Sequence, residues 1–269
     1  MKTSLDVHTP SATAGATTTA TTGGPALTSS SLARRAALAA AVSLFAVLWV
    51  GGVLSRWVGT ARADEGWLAS LFLTTAALIV ILGERTWRGV ARLAAVALTG
   101  FAVEAAGVRF KLPFGEYAYT GVLRPQLLGV PAVMGLAWMS LVAFASDFAW
   151  RLRLKPWVAV VCAALLTTAT DLVIDPLAAN QLGYWRWARG GAYYGIPFSN
   201  FVGWFATALA ACAILGARGR PNSRAAFVGV CVVLFFSLHA LAASLIPVAL
   251  VGFALCAARL APLSRSHKH

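Results

Sequence analysis

Asp171 and Asp175 lie four residues apart in Thr167-Thr168-Ala169-Thr170-Asp171-Leu172-Val173-Ile174-Asp175-Pro176, just after an uncharged run from Val158 to Ala169. In a helix this spacing puts Thr167, Asp171 and Asp175 on one stripe, with Thr168 beside it, so the polar groups can face a shared interior. Inside a bilayer each ionisable side chain costs roughly 2.5 kcal/mol or more unless it is solvated or paired, and such a cost marks a functional site. Two further carboxylates, Glu104 and Glu116, precede the pair, and Glu116 is followed directly by Tyr117 and then by Tyr119. A carboxylic acid in apolar surroundings keeps its proton because desolvation disfavours the anion, and a neighbouring carboxylate strengthens the effect. Desolvated aromatic faces stabilise a developing cation by roughly 2 kcal/mol each. Acid and aromatic lining together suit electrophilic addition to an alkene. Protonation gives a tertiary cation, and a water positioned by a second carboxylate captures it as a tertiary alcohol.

The elements that must hold these groups are membrane helices. Of the 269 residues 59% are hydrophobic and only 12% charged, with a mean hydropathy of +0.75. An average soluble domain carries about 25% charge. We expect an all-α, polytopic transmembrane bundle of about eight spans, with seven as the alternative count. Residues 1–33 read as a disordered Thr/Ser/Ala-rich tail, 34–262 as the transmembrane domain and 263–269 as a basic tail. A cleavable signal peptide ending near Ala61-Arg62-Ala63 competes with the first span, but the apolar run Ala36 to Ser55 is longer than an ordinary signal core.

The remaining spans read as Gly66–Gly83, 90–108, 131–148, a fifth from Pro156 to Asp175, and Phe198–Gly216. Pro156 suits a first helical turn, and Pro176 is expected to end or kink the fifth span. The uncharged stretch Ala225 to Ala258 would be about 51 Å long as one helix, against a hydrocarbon core of about 30 Å. Two short spans joined near Ser244 to Pro247 fit better. Residues 109–120 are too polar and too rich in Gly and Pro to span, and read as a loop or a re-entrant segment packed on protein.

With eight spans and both termini cytoplasmic, fifteen of the 22 basic residues fall on the inner side. The same arrangement puts Glu104, Asp171, Asp175 and Glu116 at one outer level, beside the Trp/Tyr cluster from Tyr184 to Tyr194. Asp147 is left at the opposite level, next to Arg151, Arg153 and Lys155, where an interfacial salt bridge is expected.

Several function classes drop out. The net charge of +13 comes from residues that punctuate apolar runs, which suits lipid headgroups rather than nucleic acid. Only His239 of four histidines lies in the apolar body, so iron-based oxygen activation lacks ligands. No metal or other cofactor is expected. The four cysteines lie in apolar runs and read as small buried hydrophobes. Plainer readings stay open for single residues. An interfacial aromatic belt accounts for Trp185, Trp187, Tyr193 and Tyr194. Glu116 can be solvated in a loop, and Glu104 can pair with Arg109.

The motifs Glu104, Pro113-Phe114-Gly115-Glu116-Tyr117-Ala118-Tyr119-Thr120, Gly129-Val130-Pro131 with Ala137-Trp138, Asp171 to Pro176, and Tyr193 to Trp204 resemble the integral membrane carotenoid hydratases. That family includes γ-carotene 1'-hydratases and bisanhydrobacterioruberin hydratases, and the resemblance covers about residues 65 to 260. It implies cofactor-independent addition of water to the terminal 1,2-double bond of an acyclic ψ-end. The substrate would be lycopene, γ-carotene or a fifty-carbon precursor, and the setting a prokaryotic cell membrane with other enzymes of carotenoid biosynthesis as partners. The resemblance assigns no acid.

From the residues, Asp171 or Asp175 is the candidate proton donor and Glu104 or Glu116 the partner that holds the water. Tyr117, Tyr119, Tyr194 and Trp204, with Trp185, Trp187 and Tyr193, are candidates to line the cation site, and Asn200 is a polar handle. The polyene would lie between spans with only its end reaching the acids. Two other classes share these residues: an intramembrane prenyltransferase that binds magnesium diphosphate through Asp171-x-x-x-Asp175, and a proton-coupled transporter.

Overall fold

Short polar or proline-bearing breaks divide the apolar sequence into helices. The computed structural model describes residues 29–60, 66–216 and 221–261. Its helices are α1 (Ser29–Val58), α2 (Gly66–Gly83), α3 (Trp87–Phe110), α4 (Val133–Arg151), α5 (Pro156–Asn180), α6 (Phe198–Leu215), α7 (Ser223–Ala242) and α8 (Ile246–Leu260). Seven are long and apolar enough to cross a membrane, and the chain is a multi-pass integral membrane protein. The eighth, α8, has 15 residues and would rise about 22 Å, short of a full crossing. The expected break in the last apolar stretch falls between Ala242 and Ile246, with Pro247 in the first turn of α8. Residues 1–28 of the expected 1–33 tail, the expected basic tail 263–269 and Ala61-Arg62-Ala63 lie outside the described residues. Helix α1 already begins at Ser29.

Side-chain contacts between helix ends fix an alternating up-and-down order. Arg34 at the start of α1 donates to the Leu82 carbonyl at the end of α2, and Trp150 at the end of α4 donates to Gly216 just after α6. Arg56 at the end of α1 meets Gln181 just after α5. Helix α4 is the centre of the bundle, buried along most of its length and packed against α2, α3, α5, α6 and α7.

The end opposite the candidate acids is tied by Asp147. Its Oδ2 accepts from Arg259 of α8 at 2.5 Å, and its Oδ1 accepts from the backbone N–H of Asn222 at 2.8 Å. The expected salt bridge is therefore present, but its partner comes from α8 and not from the adjacent Arg151, Arg153 or Lys155. Arg151 instead donates to the Arg259 carbonyl and so steadies that partner. Asn222 caps α7 by accepting from the N–H groups of Arg224 and Ala225, and its amide donates to the Val80 carbonyl of α2.

Pro176 neither ends nor breaks α5, which continues to Asn180. A proline within a helix leaves the carbonyl four residues back without its donor. Here that carbonyl belongs to Leu172, and the Tyr193 hydroxyl donates to it at 2.8 Å. A side chain from the following loop thus repairs the helix at the residue after Asp171. Tyr193→Phe should lower stability by about 1 kcal/mol, the usual value of one such bond. Thermal unfolding in detergent measures it, and an unchanged midpoint would show that the helix needs no such repair.

The two long connections at this end fold together. Strand β1 (Tyr117–Tyr119) pairs antiparallel with β4 (Trp185–Trp187), in the register Tyr117 with Trp187 and Tyr119 with Trp185. The bonds Thr120 N–H to Tyr184 and Ala188 N–H to Glu116 extend the ladder at both ends. Between them β2 (Gln126–Leu127) and β3 (Val130–Pro131) form a small hairpin turned by Leu128 and Gly129. Residues 111–120 form a connection rather than a span, as expected, and its pairing with β4 is a feature the sequence did not suggest.

Candidate active site

Strand alternation aims four aromatic rings at the helix bundle. Residues two apart on a strand share a face, so Tyr117 and Tyr119 point the same way, as do Trp185 and Trp187, while Ala118 and Arg186 between them are exposed. The rings roof a cavity whose walls are Glu104 from α3, Met134 from α4, Asp175 from α5, Asn200 and Trp204 from α6, and Phe114 from the loop. The C-terminal parts of α3 and α5 and the first turns of α4 and α6 meet here. It has about 20 Å³ of space for the centre of a water molecule, which is room for one water.

The three helical carboxylates at this end of the bundle are buried, Glu104 at 4% exposure, Asp171 at 0% and Asp175 at 1%. Each has found donors. The Glu104 Oε1 atom accepts from Trp138 Nε1 at 2.9 Å, and Oε2 accepts from the hydroxyls of Tyr117 and of Tyr119, the latter at 2.9 Å. Three donors on two oxygens suit an acceptor that bears charge. Burial and the adjoining Glu104 carboxylate push the Tyr117 and Tyr119 hydroxyls upward in pKa, so both remain O–H donors. The expected alternative partner Arg109 makes no salt bridge to Glu104.

Asp175 Oδ1 accepts from Trp185 Nε1 at 2.8 Å. Asn200 Nδ2 then joins the aspartates, donating at 2.8 Å to Asp175 Oδ2 and at 2.8 Å to Asp171 Oδ2. One amide thus holds two carboxylates together. Asp175 faces the cavity, whereas Asp171 lies behind it and is reached through Asn200. The second oxygen of Asp171, Oδ1, is buried with no hydrogen-bond partner among the described residues.

The sequence candidates separate accordingly. Glu104, Asp175, Tyr117, Tyr119, Trp185, Trp187, Asn200 and Trp204 share the cavity wall, and Asp171 adjoins it. Glu116 does not reach it. Its carboxylate pairs with Lys111 at 2.5 Å in a partly exposed position, and that hydrogen bond holds its pKa below the usual carboxylate range. Tyr193 and Tyr194 also stay outside, the first bonded to the Leu172 carbonyl and the second supplying a carbonyl to Asn180 Nδ2 at 2.8 Å. Burial pushes the Tyr193 hydroxyl up to about 12. We expect Glu116→Gln to leave turnover unchanged, since surface ion pairs contribute little. A turnover assay on the variant checks this, and a large loss would return Glu116 to the site.

Trp138 is the residue the sequence left without a role. Its ring stacks on Trp204 with centroids 4.2 Å apart while its N–H holds Glu104. Gly100 makes the approach possible, because a Cβ there would come within 2.5 Å of Trp138. A buried indole N–H needs an acceptor, and that need was the available signal. Phe114 and Met134 complete the wall, and their apolar side chains carry no sequence mark of such a place.

Comparison with known proteins finds relatives of the chain. Residues 65–261 match the model of a family described as "Carotenoid biosynthesis protein". The bisanhydrobacterioruberin hydratase of Haloarcula japonica is 36% identical over 121 residues, which cover 42% of this chain and 41% of that protein. The chain therefore matches less than half of that relative's length. No solved structure matches.

Proposed function

Given that the chain belongs to the carotenoid biosynthesis protein family, we propose that it is a cofactor-independent hydratase acting on an acyclic carotenoid end. It adds water across the terminal double bond and gives a tertiary alcohol. The observation that carries this reading is the cavity itself: two carboxylates, Asp175 and Glu104, on the wall of a space sized for one water and roofed by Tyr and Trp rings. The hydratase named among its relatives supports the same reaction class.

In this proposal Asp175 gives its proton to the less substituted alkene carbon, and the positive charge develops on the carbon bearing the two methyl groups. The ring faces of Tyr117, Tyr119, Trp187 and Trp204 stabilise it. Water forms the new C–O bond, and Glu104 takes the proton that the water releases. The next cycle begins when that proton returns to the aspartate pair. No electron transfer occurs, so no redox partner is needed. Asp171 and Asn200 position Asp175 rather than touch substrate. The polyene lies along the helices in lipid, and only its end reaches the acids.

The spacing Asp171-x-x-x-Asp175 also suits a magnesium diphosphate site, but the geometry favours hydration. The Asn200 N–H groups point at the oxygens that a bridging cation would use. The experiment is expression in cells that accumulate lycopene or γ-carotene, with heavy-oxygen water and pigment mass spectrometry. We expect a gain of one or two waters, with oxygen derived from water and not from O2. An unchanged pigment profile with both polyenes would overturn the proposal.

A further inference from the structure

A buried indole N–H ordinarily finds an acceptor, and leaving one unmade costs about 1–3 kcal/mol. Trp185 and Trp138 obey this, donating to Asp175 and Glu104. Trp187 does not. Its Nε1 is buried with no partner at hydrogen-bonding geometry among the described residues, and it lies beside the Asp175 carboxylate. The ring is held in place by strand β4 and by Tyr117, whose centroid lies 5.1 Å away. It belongs to the wall of the cavity that has room for one water.

A confined water needs two to four polar partners. This wall offers one unused donor, Trp187 Nε1, and two carboxylate acceptors, Glu104 and Asp175. From that juxtaposition we infer that the cavity seats the nucleophilic water and that the indole N–H of Trp187 positions it, an inference that rests on the hydratase reading. The water oxygen accepts from Trp187 through one lone pair. One hydrogen points at Glu104, and the other at Asp175 once that residue has given up its proton. The second lone pair is then fixed in direction and forms the C–O bond to the cation. One hydrogen stays on the new hydroxyl and the other passes to Glu104.

The role separates from a structural one because a tertiary cation has two fates. It is captured by water, or it loses a proton and returns to alkene. In D2O the second fate leaves deuterium in recovered, unhydrated polyene. The test compares membranes carrying the full chain with those carrying Trp187→Phe, using lycopene as probe and equal amounts of inserted protein. Loss of the N–H should raise the ratio of deuterated alkene to hydrated product about tenfold, the effect of one hydrogen bond.

An unchanged ratio, even with a lower total rate, would overturn the inference and leave the hydratase reading intact. Loss of deuterium uptake together with hydration would also overturn it, since Trp187 would then serve protonation. If the unaltered chain gives neither product from lycopene or γ-carotene, the hydratase reading itself fails. Should Trp187→Phe fail to accumulate, the benzothiophene analogue of tryptophan placed at position 187 keeps the ring face, removes the same N–H and is read in the same way.

Discussion

Asp175→Asn should abolish hydration while the protein still inserts. General acid catalysis contributes a factor of about 10² to 10⁴, and asparagine has the size of the acid without its proton. The variant keeps an oxygen for the Trp185 N–H, so the β4 strand stays docked. Its new amide hydrogens face those of Asn200, which costs some stability but leaves the bundle intact. Asp171→Asn should reduce turnover less, because Asp171 meets the cavity through Asn200 and does not line it. Measured in membranes with lycopene or γ-carotene, normalised to inserted protein, the two variants rank the acids. Full loss in Asp171→Asn with activity kept in Asp175→Asn would move the proton donor one turn back along α5.

Arg259→Met should have the largest effect on stability, with no effect on the chemistry of the molecules that remain folded. The Asp147 carboxylate is buried, and Arg259 is its only charged partner among the described residues. Removing one side of a buried ion pair costs about 3–5 kcal/mol, because the remaining charge stays desolvated. Among the described residues the Asn222 N–H would be left as the carboxylate's one hydrogen-bond donor. Since Asn222 also caps α7 and bonds α2, the loosening should reach both helices. Thermal unfolding followed by size-exclusion in detergent measures the shift. Removing both charges, Asp147→Leu with Arg259→Met, should recover much of it. A midpoint that does not move in Arg259→Met would show that the pair is solvated in the membrane.

Much of the helical frame is legible along the chain. The apolar runs between charged or proline-bearing breaks give α2 its bounds at Gly66 and Gly83, and the excess length of 225–258 demands the break before Ile246. Apolarity and length are local properties, so a linear reading finds them. Pro176 shows the limit of that reading. The proline rule is sound, but the Tyr193 hydroxyl, 21 residues from Leu172, supplies the missing donor.

The sequence by itself determined that Glu104, Asp171 and Asp175 belong to buried spans, that they lie near aromatic loops, and that histidine ligands for oxygen chemistry are lacking. Only the tertiary structure decided which groups meet. It sent Glu116 to Lys111, brought Trp138 to Glu104 and placed Asn200 between two aspartates. It also paired Tyr117-Ala118-Tyr119 with Trp185-Arg186-Trp187 across nearly seventy residues of chain. The physical reason is that spacing along a chain fixes which side chains share a stripe, while helix rotation and strand pairing fix what that stripe faces. Those depend on packing partners distant in sequence. Here they set Asp175 on the cavity and Asp171 behind it.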